Sequence, residues 1–144
     1  MDKACKSNGR SNQLLASSFL LLYCIVMAFR FRKLNVYQNS LALHREVVRL
    51  TKKFPQEFDY LRKQMRRASL SVVLNIAEGS AKNSDKDYRR YLGNALGSVN
   101  ELIAGGEVAL LENLISTSEF QLLEKNAEYV TNQLGGFSKR LKQS

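Results

Sequence analysis

The chain has 144 residues, 44% hydrophobic and 24% charged, the mixture of one globular domain rather than of a disordered or fibrous chain. A formal net charge of +9 favours an acidic partner, nucleic acid first and a membrane surface second. The only histidine is His44, and the only cysteines, Cys5 and Cys24, lie near the start, so one subunit lacks the material for a disulfide framework, a His-based metal centre or a nucleophile–base pair.

Residues 1–28 read as an N-terminal extension and residues 29–144 as the folded domain. Met1–Gln13 is polar and carries Lys3, Lys6 and Arg10, whereas Leu14–Phe29 is almost wholly apolar. Three readings of this order stay open. It resembles a signal peptide, with Val26-Met27-Ala28 as a small-x-small cleavage site. It could form an additional helix. The preferred expectation is that translation starts at Met27 and that the upstream residues belong to an over-extended gene model. The apolar run is short for a spanning helix, which needs roughly 20 apolar residues. The domain itself is expected to involve no membrane and to be cytoplasmic.

Four helices follow from the periodicity. The first is expected from Val36 to Phe54, with Asn35 as N-cap and Pro55 as terminator. Val36, Ser40, Leu43, Val47, Leu50 and Phe54 share one face by steps of three and four. The second is expected from Gln56 to Ala81, with Leu61, Met65, Ala68, Val72 and Ile76 as its core stripe. Its other face carries Arg62, Lys63, Arg66 and Arg67, then Leu70, Val73, Leu74 and Ala77. A helix apolar all round must be covered on both sides, so this second half should meet another subunit.

The third helix is expected from Asp85 to Glu112, opened by a capping box of Ser84 and Asp87. Tyr88, Leu92, Ala95, Val99, Leu102, Gly106 and Leu110 form its core stripe. Gly93, Gly97, Ala104, Val108 and Leu111 form a second stripe, where small residues leave room for another backbone. Gly105-Gly106 calls for a local kink or a close contact. The fourth helix is expected from Thr117 to Lys142, opened by a capping box of Ser116 and Glu119. Phe120, Leu123, Ala127, Val130, Leu134, Phe137 and Leu141 repeat as in coiled-coil-like bundle packing. Short connections make consecutive helices antiparallel neighbours, so the expected fold is an all-α, up-down, antiparallel four-helix bundle.

Two groups of residues are candidates for function. Asn75, Glu78, Ser98 and Glu101 are expected to form a buried polar network joining the second and third helices. With no nucleophile, metal ligand or phosphate loop nearby, a paired-carboxylate enzyme is not the expectation, and neither a cofactor nor a small-molecule substrate is. Positive charge is concentrated early: Ala28–Gln56 holds seven Lys or Arg against Glu46 alone. Lys52, Lys53, Arg62, Lys63, Arg66 and Arg67 are therefore the expected nucleic-acid-binding residues, reaching phosphates rather than bases. The competing reading is an ordinary solvated basic face. His44 is expected to pack beside the apolar face, and Tyr37, Tyr88 and Tyr91 to keep their hydroxyls at the rim.

Several stretches also resemble one family. Gln64-Met65-Arg66-Arg67-Ala68, Asn75-Ile76-Ala77-Glu78-Gly79-Ser80, Tyr91-Leu92, Ala95-Leu96-Gly97-Ser98 and Glu101-Leu102 are similar to the bacterial four-helix bundle proteins of the 23S rRNA intervening-sequence type. Phe31-Lys33-Leu34-Val36-Tyr37 and Leu50-Thr51-Lys52-Lys53-Phe54-Pro55 fit as well, and Asn-Ile-Ala-Glu-Gly is the most specific piece. Ile103-Ala104 departs from the Glu-Thr that usually follows Glu-Leu. The family includes relatives that are accessory proteins to the reverse transcriptases of diversity-generating retroelements. The resemblance implies a non-enzymatic, ring-like homopentamer with a basic surface and an RNA or RNA–protein partner. The interface expected from the residues comprises Leu70, Val73, Leu74, Ala77, Gly93, Gly97, Ala104 and Val108. A structural or protein-interaction module without nucleic-acid binding is the alternative.

Overall fold

The four expected helices form, with ends that differ from the periodicity by a few residues. The computed structural model describes residues 29–141, so the extension at 1–28 lies outside the described residues. A 3₁₀ turn at Arg30–Lys33 precedes α1 (Asn35–Thr51), and a second at Gln56–Phe58 leads into α2 (Asp59–Gly79). Helices α3 (Asp85–Leu111) and α4 (Thr117–Arg140) complete the domain. No strand occurs among the described residues.

The core lies where the periodicity puts it. All six stripe residues of α1 are buried, and so are all five of α2. In α4 the seam buries Leu123, Ala127, Val130 and Leu134, while Phe120, Phe137 and Leu141 pack half-buried against it. Each Leu or Val removed from water contributes roughly 1.5–3 kcal/mol, which makes these stripes the main source of stability.

Local chemistry sets the ends. Asn35 is not the N-cap: Leu34 holds that position and no side chain caps the helix. The preceding 3₁₀ turn already winds the chain, with the Leu34 N–H donating to the Phe31 carbonyl at 3.0 Å. Helix α1 stops at Thr51, before Pro55 can act. The Thr51 hydroxyl donates back to the Val47 carbonyl at 2.7 Å, a local bond that competes with helix continuation. Phe54 lies beyond the helix and is still buried.

Ser116 and Glu119 form the full capping box. Ser84 and Asp87 form half of one. The Asp87 N–H donates to Ser84 Oγ at 3.1 Å, but the shorter Asp87 carboxylate takes the Ser84 hydroxyl rather than its backbone N–H. At the end of α3, Asn113 adopts a left-handed conformation with φ 57°. The Leu114 N–H reaches the Ala109 carbonyl and the Asn113 N–H reaches Leu110, a Schellman closure with Asn in the usual Gly place.

The contacts between helices run in opposite sequence sense. His44 meets Ser69 while Thr51 meets Arg66 across α1 and α2. Glu78 meets Tyr91, Ser71 meets Ser98 and Gln64 meets Glu101 across α2 and α3. Across α3 and α4, Tyr88 stacks on Phe137 while Gly106 lies against Phe120 and Leu123. Across α1 and α4 runs a polar ladder that the apolar stripes do not announce: Asn39–Gln133, Glu46–Asn126 and Lys53–Glu119, spaced seven residues apart on both helices. That spacing is the polar edge of a heptad, visible in the sequence only once the two helices are known to be neighbours.

Helix α3 runs unbroken through Gly105-Gly106. A Cβ on Gly105 would sit 2.9 Å from Met65 Cγ, and one on Gly106 would sit 3.1 Å from Phe120 Cε2. Close contact on two sides accounts for the pair.

Candidate nucleic-acid and assembly surfaces

The six expected phosphate-binding cations are divided by their local partners. Arg66 Nε donates to Thr51 Oγ1 at 2.8 Å and its Nη2 to the Val48 carbonyl at 3.3 Å. Arg62 donates to the Phe54 and Pro55 carbonyls and pairs with Asp59 at 3.2 Å. Both arginines therefore satisfy carbonyls at and just past the end of α1, where a helix leaves its acceptors unpaired and its dipole favours a cation. These contacts tie α2 to the end of α1, which a charge count alone cannot show. Lys53 is bonded to Glu119 at 2.8 Å, and Lys63 pairs with Asp59 at 2.6 Å. That contact holds the Asp59 carboxyl below its ordinary range. Among the described residues, Lys52 and Arg67 alone of the six have no ionic or hydrogen-bonding partner.

The Lys53–Glu119 contact joins the end of α1 to the cap of α4. The Lys53 ammonium, and next the Ser116 backbone N–H, pull the Glu119 carboxyl down to about 2 from 4.5. A depressed carboxylate stabilises the fold above the unfolded value and stops doing so as pH falls through the folded one. Glu119→Gln should therefore lose about 1–2 kcal/mol at neutral pH, an exposed ion pair and a cap being worth no more. It should also show a flatter decline between pH 4.5 and 2. Urea unfolding at several pH values checks this.

Positive charge collects at the opposite end of the domain. There the start of α1, the end of α2, the start of α3 and the end of α4 converge. Gly79 packs on Tyr88 and Tyr91, Tyr88 stacks on Phe137 at 5.1 Å, and a cavity of about 350 Å³ joins Lys33 and Val36 to Phe137 and Arg140. Arg32 and Lys33 come from the start, Lys82 follows α2, and Lys86, Arg89 and Arg90 lie in the first turns of α3. Lys139 and Arg140 end α4. Eight cations thus share this end with Glu78, Asp85 and Asp87. At the other end Lys52, Lys53, Arg62 and Lys63 are balanced by Glu57, Asp59, Glu112 and Glu119. Linear counting does not find this cluster because the eight residues come from three separate stretches, 32–33, 82–90 and 139–140.

Tyr91 holds two of these cations. Its hydroxyl donates to Glu78 Oε1 at 2.8 Å, Lys82 lies 4.7 Å above its ring and Arg90 5.5 Å from the ring centroid. The Tyr91 hydrogen bond lowers Glu78 and raises Lys82, keeping both charged. Tyr88 departs from expectation: its hydroxyl is buried without a hydrogen-bonding partner, and burial pushes it up to about 12. The missing side chain of Gly79 lets this ring pack inward onto Phe137.

The expected buried network is three separate contacts instead. Asn75 Nδ2 donates to the Ser71 carbonyl and hydroxyl, and Ser71 Oγ meets Ser98 Oγ at 2.9 Å. Glu101 accepts from Gln64, and Glu78 accepts from Tyr91. Both glutamates are exposed, because long side chains at the edge of the α2–α3 seam reach water. Ser71, which no sequence pattern singles out, is the residue that links Asn75 to Ser98.

Most of the expected interface faces outward. Leu70 is 43% exposed, Leu74 56% and Val108 40%, and space is open beside Gly93 and Gly97. Ala104 is exposed and Ala77 half-buried. Val73 is the exception: it is buried within the subunit, on the side of α2 that carries Ser69 toward α1. His44 meets that Ser69 through Nδ1 at 2.8 Å, and burial, then Arg66, lowers its pKa.

The sequence model of the 23S rRNA-intervening sequence protein family matches residues 32–136, spanning α1 to α3 and most of α4. The chain belongs to that family. No curated protein matches it. A crystal structure of a protein with unknown function from the S23 ribosomal protein family, from Bacteroides thetaiotaomicron, is similar at a TM-score of 0.67 and 24% identity. That match covers 72% of this chain and 98% of the other, and it speaks to the fold. The Asn75-Ile76-Ala77-Glu78-Gly79 stretch that carries the family resemblance supplies Glu78 and Gly79 to the basic end.

Proposed function

We propose that this member of the 23S rRNA-intervening sequence protein family is an up-down antiparallel bundle that assembles with copies of itself into a ring. It works by binding rather than by catalysis, and its partner is structured RNA or an RNA–protein complex in the cytoplasm. The observation that carries the reading is the gathering of eight cations from four helix ends at one end of the domain, two of them, Lys82 and Arg90, over Tyr91. Such a surface neutralises phosphates and releases counterions. Its aromatic rings are engaged within the domain, Tyr88 on Phe137 and Tyr91 with Glu78, Lys82 and Arg90, so recognition rests on backbone and shape rather than on stacked bases.

Repetition of the basic end around a ring would add weak contacts through multivalency. The outward apolar residues of α2 and α3 support assembly, because Leu70, Leu74 and Val108 are exposed and space is open at Gly93 and Gly97. Leu74→Glu should weaken self-association in sedimentation with helical content intact, since the charge would be buried unpaired only in the oligomer. The binding reading is tested by titrating a folded RNA hairpin over a range of salt. It expects affinity to fall steeply with salt and little with sequence. Absence of salt-sensitive binding would leave a protein-interaction module in its place.

A further inference from the structure

Besides the outward apolar residues of α2 and α3, the domain has two grooves along α4 that carry unlike charges. Between α1 and α4 a groove of about 650 Å³ is lined by Leu41, Ala42 and Leu122, with Arg45 and Arg49 along it. Arg45 has no ionic partner among the described residues, and Arg49 stands 3.9 Å from Glu46 Oε1. That carboxylate oxygen is buried and accepts no hydrogen bond, whereas Oε2 accepts from Asn126.

The groove between α3 and α4 is the reverse. It measures about 510 Å³ and is floored by Ile103, Ala104 and Ala127. Glu107 from α3 and Glu124 and Glu128 from α4 flank it, and no cation lines it. None of these three carboxylates has an ion-pair partner among the described residues. An isolated acidic groove on a chain of net charge +9 selects strongly for a positive patch of matching size.

We infer that the two grooves are the two halves of one contact: the α1–α4 groove of one copy docks on the α3–α4 groove of the next. The occupant is a second copy because this chain carries both complementary surfaces. Leu41, Ala42 and Leu122 meet the apolar floor, and Arg45 and Arg49 meet Glu107, Glu124 and Glu128. A two-fold contact of the acidic groove with itself would set three carboxylates against three, and one of the α1–α4 groove would set Arg45 and Arg49 against their copies with only Glu46, already bonded to Asn126, between them, so the charges favour a head-to-tail arrangement. A head-to-tail contact closes as a ring when its rotation permits. Ala104 belongs both to this floor and to the outward stripe of α3, which places the acidic groove beside the apolar face. The inference rests on the assembly reading above and adds its polarity and its ionic partners.

Charge reversal tests it. Arg45→Glu/Arg49→Glu and Glu124→Arg/Glu128→Arg are purified as full chains, checked for helical content by circular dichroism and examined by sedimentation velocity. Each double variant alone should assemble at least about 100-fold more weakly than wild type, like charges across a contact costing several kcal/mol. An equimolar mixture of the two should restore association, because each then meets an opposite charge. Assembled wild type with unimpaired variants, or a mixture that stays dissociated, overturns the inference and leaves self-assembly standing. A wild type that is monomeric at every concentration overturns the assembly reading and this inference with it.

Discussion

Gly79→Val should lower the melting temperature of the domain by roughly 10–20 °C. A Cβ at this position would stand 2.7 Å from Tyr88 Cδ2 and 2.8 Å from Tyr91 Cβ, distances that real side chains do not occupy. The ring of Tyr88 cannot retreat, because its far side stacks edge-on against Phe137. Overpacking of this kind costs about 2–3 kcal/mol, and each kcal/mol shifts a domain of this size by about 4–8 °C. The opposite sign is expected at Gly135, also inside a helix, where nothing lies within 4 Å of an added Cβ. There Gly135→Ala should gain about 0.5–1 kcal/mol by removing backbone freedom from the unfolded chain. Thermal unfolding of the two variants side by side separates a glycine required by close approach from one that is not. Equal effects would mean that the Tyr88–Gly79 contact does not constrain the fold.

The second large effect concerns binding. Replacing Lys33, Lys86, Arg89 and Lys139 with Ala removes four cations of the basic end, none of which holds another part of the bundle by an ion pair. Affinity for folded RNA should drop on the order of 100-fold near physiological salt, and the logarithmic salt slope should lessen by about three. The control is Lys52→Ala/Lys63→Ala at the other end, where Lys63 pairs with Asp59 and as many carboxylates as cations are present. That variant should bind within about twofold of wild type. A reversed ranking, with the control weaker than the basic-end variant, would return the binding surface to the residues that linear charge counting favours.

The fold is largely legible in the sequence because the apolar stripes repeat without interruption. The stripes from Val36 to Phe54 and from Leu61 to Ile76 stand out as core by their spacing alone, and all their members are buried. The helix ends are less legible, since they depend on bonds that propensity does not encode. Thr51 turns its hydroxyl back on Val47, and Asn113 takes the left-handed place usually left to glycine.

The candidate site is the least legible part. Arg62 and Arg66 sit in the basic run of the sequence, yet the bare carbonyls at the end of α1 claim them. Arg32, Lys86 and Lys139 lie far apart along the chain, and only the contacts among Gly79, Tyr88, Phe137 and the start of α1 bring them to one end. Val73 reads as an outward residue because it neighbours Leu74, yet it is buried, a fact that one helix's periodicity cannot reveal.

Lysine footprinting of the protein–RNA complex tests binding at the basic end most directly. The assembled protein is treated with an amine-reactive reagent, with and without a folded RNA hairpin, and each modified lysine is quantified by mass spectrometry. RNA should protect Lys33, Lys82, Lys86 and Lys139, while Lys52 and Lys63 react as in the free protein. Protection of Lys52 and Lys63 with the basic end unchanged, or no protection anywhere at saturating RNA, would contradict a basic-end binding surface.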